Sequence, residues 1–147
     1  MYQHILLATD GSELASRAIA TAVGLAKALG AKLTGVYAVL EYTPPADSLF
    51  PVYQFLPKEE YQRLADNEAE LVLKSFADAC TDAGVEFDLT HGIDSHPYRL
   101  ILATAQERGC DLICMASHGR RGMGALLLGS ETQKVLTHGT VPVLVVR

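Results

Sequence analysis

The chain has 147 residues, 49% of them hydrophobic and 20% charged, with 12 Lys and Arg against 17 Asp and Glu for a formal net charge of -5. A chain of this length buries roughly 68–70% of its unfolded surface in one core, which excludes disorder, a disulfide-stapled mini-protein and two full-sized domains. The mean hydropathy is +0.17 and the isoelectric point about 5.4, so duplex nucleic acid meets a repulsive average field and any bound anion must be held by local positive groups.

The opening residues Met1 to Leu7 run into an apolar stretch with no basic n-region and no small-residue cleavage site, so no signal peptide is expected. The longest apolar runs fall short of the roughly 18 residues a membrane helix needs, and the expectation is a cytoplasmic protein with no membrane partner. His4–Thr9 does not alternate apolar with polar residues and reads as a fully buried strand, which points to a parallel sheet. Ser12 is a good helix N-cap, Ile19, Ala22, Val23 and Ala26 repeat with helical spacing, and Gly30 offers a left-handed stop.

Leu33–Leu40 predicts a second strand, and residues 41–57 an irregular insert with prolines at 44, 45, 51 and 57 and aromatics at Tyr42, Phe50, Tyr53 and Phe55. The insert is read as packing locally, with a lid over a ligand as the minority alternative. Lys58–Ala83 carries Leu64, Leu71, Val72 and Ala79 on a helical period and is closed by Gly84 before a strand at Val85–Thr90. Pro97 suits a first helical turn, and Tyr98, Ile101, Leu102 and Ala105 form the next buried stripe up to Gly109. A strand at Leu112–Ala116, a glycine-rich loop over Ser117–Leu128, a short helix at Glu131–Thr137 and a last strand at Val141–Val146 complete the chain.

Five strands alternating with four helices predict a single α/β domain over residues 1–147, three-layered, with a parallel sheet covered by helices on both faces. Ligands of such sheets bind beyond the carboxyl ends of the strands, where Asp10 and the loop after Ala116 fall. Cys80, Cys110 and Cys114 lie in apolar segments with no redox C-x-x-C spacing, and read as buried thiols in a reducing compartment.

The stretch from Met115 to Thr132 joins backbone freedom to positive charge. Glycines let main-chain N–H groups approach a polyphosphate, Gly129-Ser130 opens a helix whose first turn favours an anion, and Arg120 and Arg121 supply local charge. The bland alternative is a surface turn followed by an ordinary Ser N-cap. No G-x-x-x-x-G-K-[ST] is present and no G-x-G-x-x-G follows the first strand, so a phosphate site must come after the fourth.

From His4-Ile5-Leu6-Leu7-Ala8-Thr9-Asp10-Gly11-Ser12 through Val141-Pro142-Val143-Leu144-Val145-Val146 the chain resembles the universal stress protein family. Gly119, nine intervening residues, then Gly129-Ser130 match three positions of the G-x2-G-x9-G-[ST] motif of its nucleotide-binding branch, while Ala116 stands in place of the first glycine. The resemblance implies a Rossmann-like adenine-nucleotide-binding fold with strand order 3-2-1-4-5, ATP across the carboxyl ends of strands one and four, Mg as its counter-ion, and a homodimer through strand 141–146. Carried over by position, Ala8 and Thr9 line the pocket, Asp10 sits near the ribose and the metal, and the backbone at Ala38 meets the adenine edge. Met115, Ala116, Ser117 and His118 flank the nucleotide, while Gly119, Arg120, Gly129, Ser130, Glu131 and Thr132 meet phosphate and sugar. The expected function is ATP binding by a dimeric cytoplasmic stress-response regulator with at most slow ATP hydrolysis; the alternative is a member that binds no nucleotide and serves as a dimeric interaction module for an unidentified protein.

For Asp10 alone, a helix-capping turn is as good a reading as a ligand contact. A receiver domain would need an acidic neighbour before Asp10, an Asp ending the third strand and a Lys in the fifth, and none is present. Of the nearby candidates for a catalytic base, Asp10, His118 and Glu131, none has a recognisable partner in sequence, so no catalytic residue is assigned. The spacing of His91, Asp94 and His96 matches no structural zinc pattern. Pro142 in the last strand points to a sheet edge, open to pairing with a second copy or covered by a loop.

Overall fold

The computed structural model describes residues 1–41, 56–120 and 127–147. Along these the elements are β1 (His4–Ala8), α1 (Glu13–Leu29), β2 (Lys32–Val39), α2 (Lys58–Ala83), β3 (Phe87–Ile93), α3 (Pro97–Glu107), β4 (Leu112–Ala116), α4 (Ser130–His138) and β5 (Val143–Val146). The sheet is entirely parallel in the order β3-β2-β1-β4-β5, as the resemblance implied.

Strand alternation distributes the core between two faces. Ile5 and Leu7 of β1 pack with Ala18, Ile19 and Ala22 of α1 and with Phe76 and Cys80 of α2. Leu6 and Ala8 point the other way, onto Ile101 and Ala105 of α3 and Val135 of α4. Each fully buried aliphatic or aromatic side chain contributes about 1.5–3 kcal/mol by leaving water, which is why a strand buried on both faces shows no polar alternation.

One glycine is required by packing rather than by dihedral angle. A methyl on Gly35 of β2 would stand 2.6 Å from two ring carbons of Phe76, so α2 reaches the sheet only because that position is bare. Phe76 in turn meets Phe87 of β3 edge to face, with centroids 5.9 Å apart.

Several boundaries move from the expected ones. The third strand runs Phe87–Ile93 instead of Val85–Thr90, because its extent follows the pairing from Leu33↔Phe87 to Val39↔Ile93, while Val85 closes α2 by donating its N–H to Cys80 O at 3.0 Å. The second strand begins and ends one residue earlier than expected. The last begins at Val143, with Pro142 just outside it, its carbonyl accepting the N–H of Ile113 at 2.9 Å. The short helix spans Ser130–His138 with Gly129 as its N-cap, so Ser130 lies inside the first turn and is not the cap.

All three thiols are buried and free, and burial pushes Cys80 and Cys110 up to about 11 and Cys114 up to about 12. Among the described residues no helix is long and apolar enough to cross a membrane. Residues 42–55, which carry the four aromatics of the insert, and residues 121–126, with Arg121, lie outside the described residues.

Candidate functional site

The carboxyl ends of β1, β2 and β4 and the starts of α3 and α4 surround a cavity of about 530 Å³. Its shape follows from the topology. At the centre of the sheet, β1 is followed by a helix on one face and β4 by a segment returning on the other, so the two exits diverge and leave a crevice.

On the β1 side the chain turns sharply through Thr9, Asp10, Gly11 and Ser12. Thr9 extends the ladder by donating its N–H to Val36 O at 3.1 Å, and its hydroxyl accepts the N–H of Gly11 at 3.2 Å. Gly11 takes the left-handed conformation, with φ 74°, which a side chain would resist. Ser12 then caps α1 by accepting the N–H of Ala15 at 3.2 Å.

Asp10 ties this turn to the one after β4. Its Oδ1 accepts the N–H of Ser12 at 3.0 Å and its Oδ2 accepts the N–H of Arg120 at 2.8 Å. The turn-forming reading of Asp10 is therefore realised, and the same residue lines the cavity. A methyl on Gly119 would fall onto Asp10 Oδ2, so the approach of the two turns depends on that glycine.

On the β4 side the chain is held in a similar way. Ser117 donates its N–H to Val146 O and its carbonyl accepts the N–H of Gly129, each at 2.7 Å. This bond sets the start of α4 beside the end of β4. A methyl on Gly129 would stand 3.0 Å from His118 Cα, so its bareness is what allows that closure. Thr132 is 2% exposed and donates its hydroxyl to Ala116 O at 3.0 Å, which fixes α4 against β4.

Neither Gly119 nor Gly129 has a positive φ, and no described residue other than glycine does. The motif glycines here supply room, not unusual backbone angles. Ala116, where the motif has glycine, carries its methyl without backbone strain.

The cavity walls differ in character. Ala8, Val36, Ala38, Leu40, Pro97, Ile101 and Met115 give an apolar slot toward α3. The opposite side carries Asp10, Tyr37, Glu68 and Arg120, and the start of α4 brings Gly129, Ser130, Glu131 and Thr132. Tyr37 donates its phenol to Glu68 Oε1; burial, reinforced by that carboxylate, raises the phenol well above its ordinary value and keeps it a donor. The side chain of Arg120 lies over Gly11, where a methyl would stand 2.9 Å from its Nη2.

The residues singled out by sequence thus lie around one cavity, with Ser117 as the exception. Ser117 is buried behind the wall, its hydroxyl 3.1 Å from His118 Nδ1. Thr132 and Glu131 reach the cavity, but their side-chain polar groups are engaged within the protein, Glu131 with Tyr98 N and Lys134 Nζ at 2.8 Å each. Tyr37, Glu68, Ser95, Pro97 and Ile101 were not singled out. Tyr37 neighbours Ala38 on a strand exit and was discoverable by that proximity, whereas Glu68 is one of many acidic residues on α2 and carries no local signal.

No cluster of three or more His, Cys, Asp or Glu suited to a metal occurs among the described residues. Asp10 is the one carboxylate on the β1 turn, and each of its oxygens already accepts one N–H while retaining a further lone pair.

The sequence model described as "Universal stress protein family" matches residues 1–147. A universal stress protein of Thermus aquaticus is 35% identical over 147 residues, with all of both chains covered. Among solved structures, the hypothetical protein MJ0577 superposes with a TM-score of 0.82 at 27% identity, covering 99% of this chain and 96% of that one. A universal stress protein crystallised in complex with cAMP superposes with a TM-score of 0.70 at 25% identity, covering 99% and 97%. The chain belongs to the universal stress protein family.

Proposed function

We propose that this universal stress protein binds an adenine nucleotide, ATP, in the cavity at the carboxyl ends of β1 and β4, and that nucleotide occupancy is its signal in a stress response. The observation that carries the reading is the pairing of an apolar slot with a helix start inside one cavity. The slot of Val36, Ala38, Pro97, Ile101 and Met115 suits a purine base, and the first turn of α4 suits phosphate. The complex of a structural neighbour with cAMP supports an adenine ligand.

In this proposal Ala8 and Thr9 floor the site, the backbone at Ala38 meets the base edge, and Met115, Ala116 and His118 flank the nucleotide. Gly119, Arg120, Gly129 and Ser130 face the phosphates, largely through main-chain N–H groups. Asp10 and the phosphate oxygens would together hold a Mg ion, since one carboxylate with spare lone pairs suits a cation whose other ligands are phosphate and water. Such an ion would offset phosphate charge next to an acidic protein.

The proposed activity is a binding switch rather than rapid turnover. Asp10, His118 and Glu131, the candidates for a base, are each engaged in the framework: with two main-chain N–H groups, with Ser117 Oγ, and with Tyr98 N and Lys134. The protein is proposed to act in the cytoplasm as a homodimer through β5, an edge strand whose four residues are only half-buried within one chain.

Freshly purified protein is denatured, any released nucleotide is identified by mass spectrometry, and ATP is titrated calorimetrically into wild type and Gly129→Val. Stoichiometric ATP binding that the variant loses supports the reading. An empty wild-type protein that ignores ATP sinks it.

A further inference from the structure

We infer that Glu131 fixes the direction in which the nucleotide lies, by occupying the N-terminus of α3 and leaving that of α4 as the anion position. The inference rests on the nucleotide reading above and adds a positioning residue to it.

Both α3 and α4 begin at the cavity, where Pro97 and Ser130 line it. Neither helix is capped by its own N-cap side chain, since His96 and Gly129 make no capping bond. Each start would therefore offer main-chain donors and the positive end of a helix dipole to an anion. A linear nucleotide could then enter with its phosphates toward either one.

Glu131 removes that symmetry. Pro97 has no N–H, so Tyr98 carries the first donor of α3, and Glu131 Oε2 accepts it at 2.8 Å. The next donor, Arg99 N, reaches His96 O at 2.9 Å. At α4, by contrast, no acceptor among the described residues takes the N–H of Ser130, Glu131 or Thr132; the first internal bond is Gln133 N to Gly129 O at 3.0 Å.

The charge of this carboxylate is matched as well. Lys134 Nζ lies 2.8 Å from Glu131 Oε1 and 5.4 Å from the centroid of the Tyr98 ring. The α3 start is thus closed to phosphate by an internal carboxylate, without a bare negative charge left beside α4. What remains at the α3 end is the surface of Pro97 and Ile101, which takes the base.

The test compares ATP with inorganic tripolyphosphate, whose affinity ratio isolates the base. In wild type, ATP binds more tightly than tripolyphosphate. Glu131→Gln retains an acceptor for Tyr98 N and is expected to keep that ratio within about twofold. Glu131→Ala is expected to lower it about tenfold, the scale of a lost helix cap. Tripolyphosphate alone should bind both variants at least as well as wild type, because Lys134 is released from its partner.

Glu131→Asp, one methylene too short to reach Tyr98 N, keeps the charge and is expected to follow alanine; it also stands in should Glu131→Ala not fold. Amide exchange at Tyr98 gives an independent readout, slow in wild type and Glu131→Gln and fast in the other two. If wild type binds ATP but the ratio is unchanged in Glu131→Ala and Glu131→Asp, the inference is overturned and the nucleotide reading stands. If wild type binds neither ligand, the nucleotide reading falls and takes the inference with it.

Discussion

The carboxylate of Asp10 accepts the main-chain N–H of Arg120 at 2.8 Å across 110 residues of sequence. Because Asp10 also holds the N–H of Ser12, one side chain joins the first turn of α1 to the loop after β4. Asp10→Ala is expected to weaken ATP binding about tenfold and to lower stability by about 1.5 kcal/mol, the low end for a charge-assisted bond. Asp10→Asn keeps one acceptor and should fall between. Calorimetry and urea unfolding on the same preparations check both, and unaltered binding in Asp10→Ala would mean the tie does not shape the site.

Gly119 and Asp10 should behave as one unit. A methyl at Gly119 would clash with Asp10 Oδ2 and displace the carboxylate, so Gly119→Ala is expected to reproduce the binding loss of Asp10→Ala. The double variant should be little worse than either single one. Additive losses in a double-mutant cycle would show that the two residues act separately.

Gly35→Ala places a methyl 2.6 Å from the ring of Phe76 and is expected to cost about 1–3 kcal/mol by overpacking. Trimming the ring in Gly35→Ala/Phe76→Leu should recover part of the loss. Urea midpoints give the comparison, and a Gly35→Ala protein as stable as wild type would contradict the packing of α2 on β2.

The native thiols should be inert. Burial holds Cys80 and Cys110 near about 11 and Cys114 near about 12, so almost no thiolate is present at pH 8. A chromogenic disulfide reagent should titrate no thiol in native protein and all three in denaturant. Rapid labelling of the native form would show that these positions open.

Acid should weaken the far end of the sheet. Asp88 on β3 is held below its ordinary value, chiefly by its hydrogen bond to Lys32, 2.7 Å away on β2. A carboxyl with a lowered folded-state value contributes stability above the unfolded value and loses it as pH falls through the folded one. The decline attributable to this pair therefore starts near pH ~4 and continues below it. Asp88→Asn should flatten stability over that window, and an unchanged pH profile would exclude the pair as a contributor.

Local physics made much of this protein legible in its sequence. The bounds of α2 and β4 coincide with those expected, because helical periodicity closed by Gly84 and a short doubly buried apolar run are properties of consecutive residues. The strand order and the grouping of Ala8, Asp10, Gly119 and Gly129 at one crevice followed from family resemblance, and the sheet topology agrees.

Tertiary structure decided what depends on partners distant in sequence. The extent of β3 is set by β2 pairing, so polar His91 and Gly92 belong to a strand that composition alone ends early. Glu131, carried over by position from the family, uses its side chain to cap α3, 33 residues away, an assignment only the packing of two helices could make. Glu68 reaches the cavity through Tyr37 by the same kind of contact. Sequence determines which segments form and which faces they bury, while the crevice and its polar partners arise only once the sheet has brought those faces together.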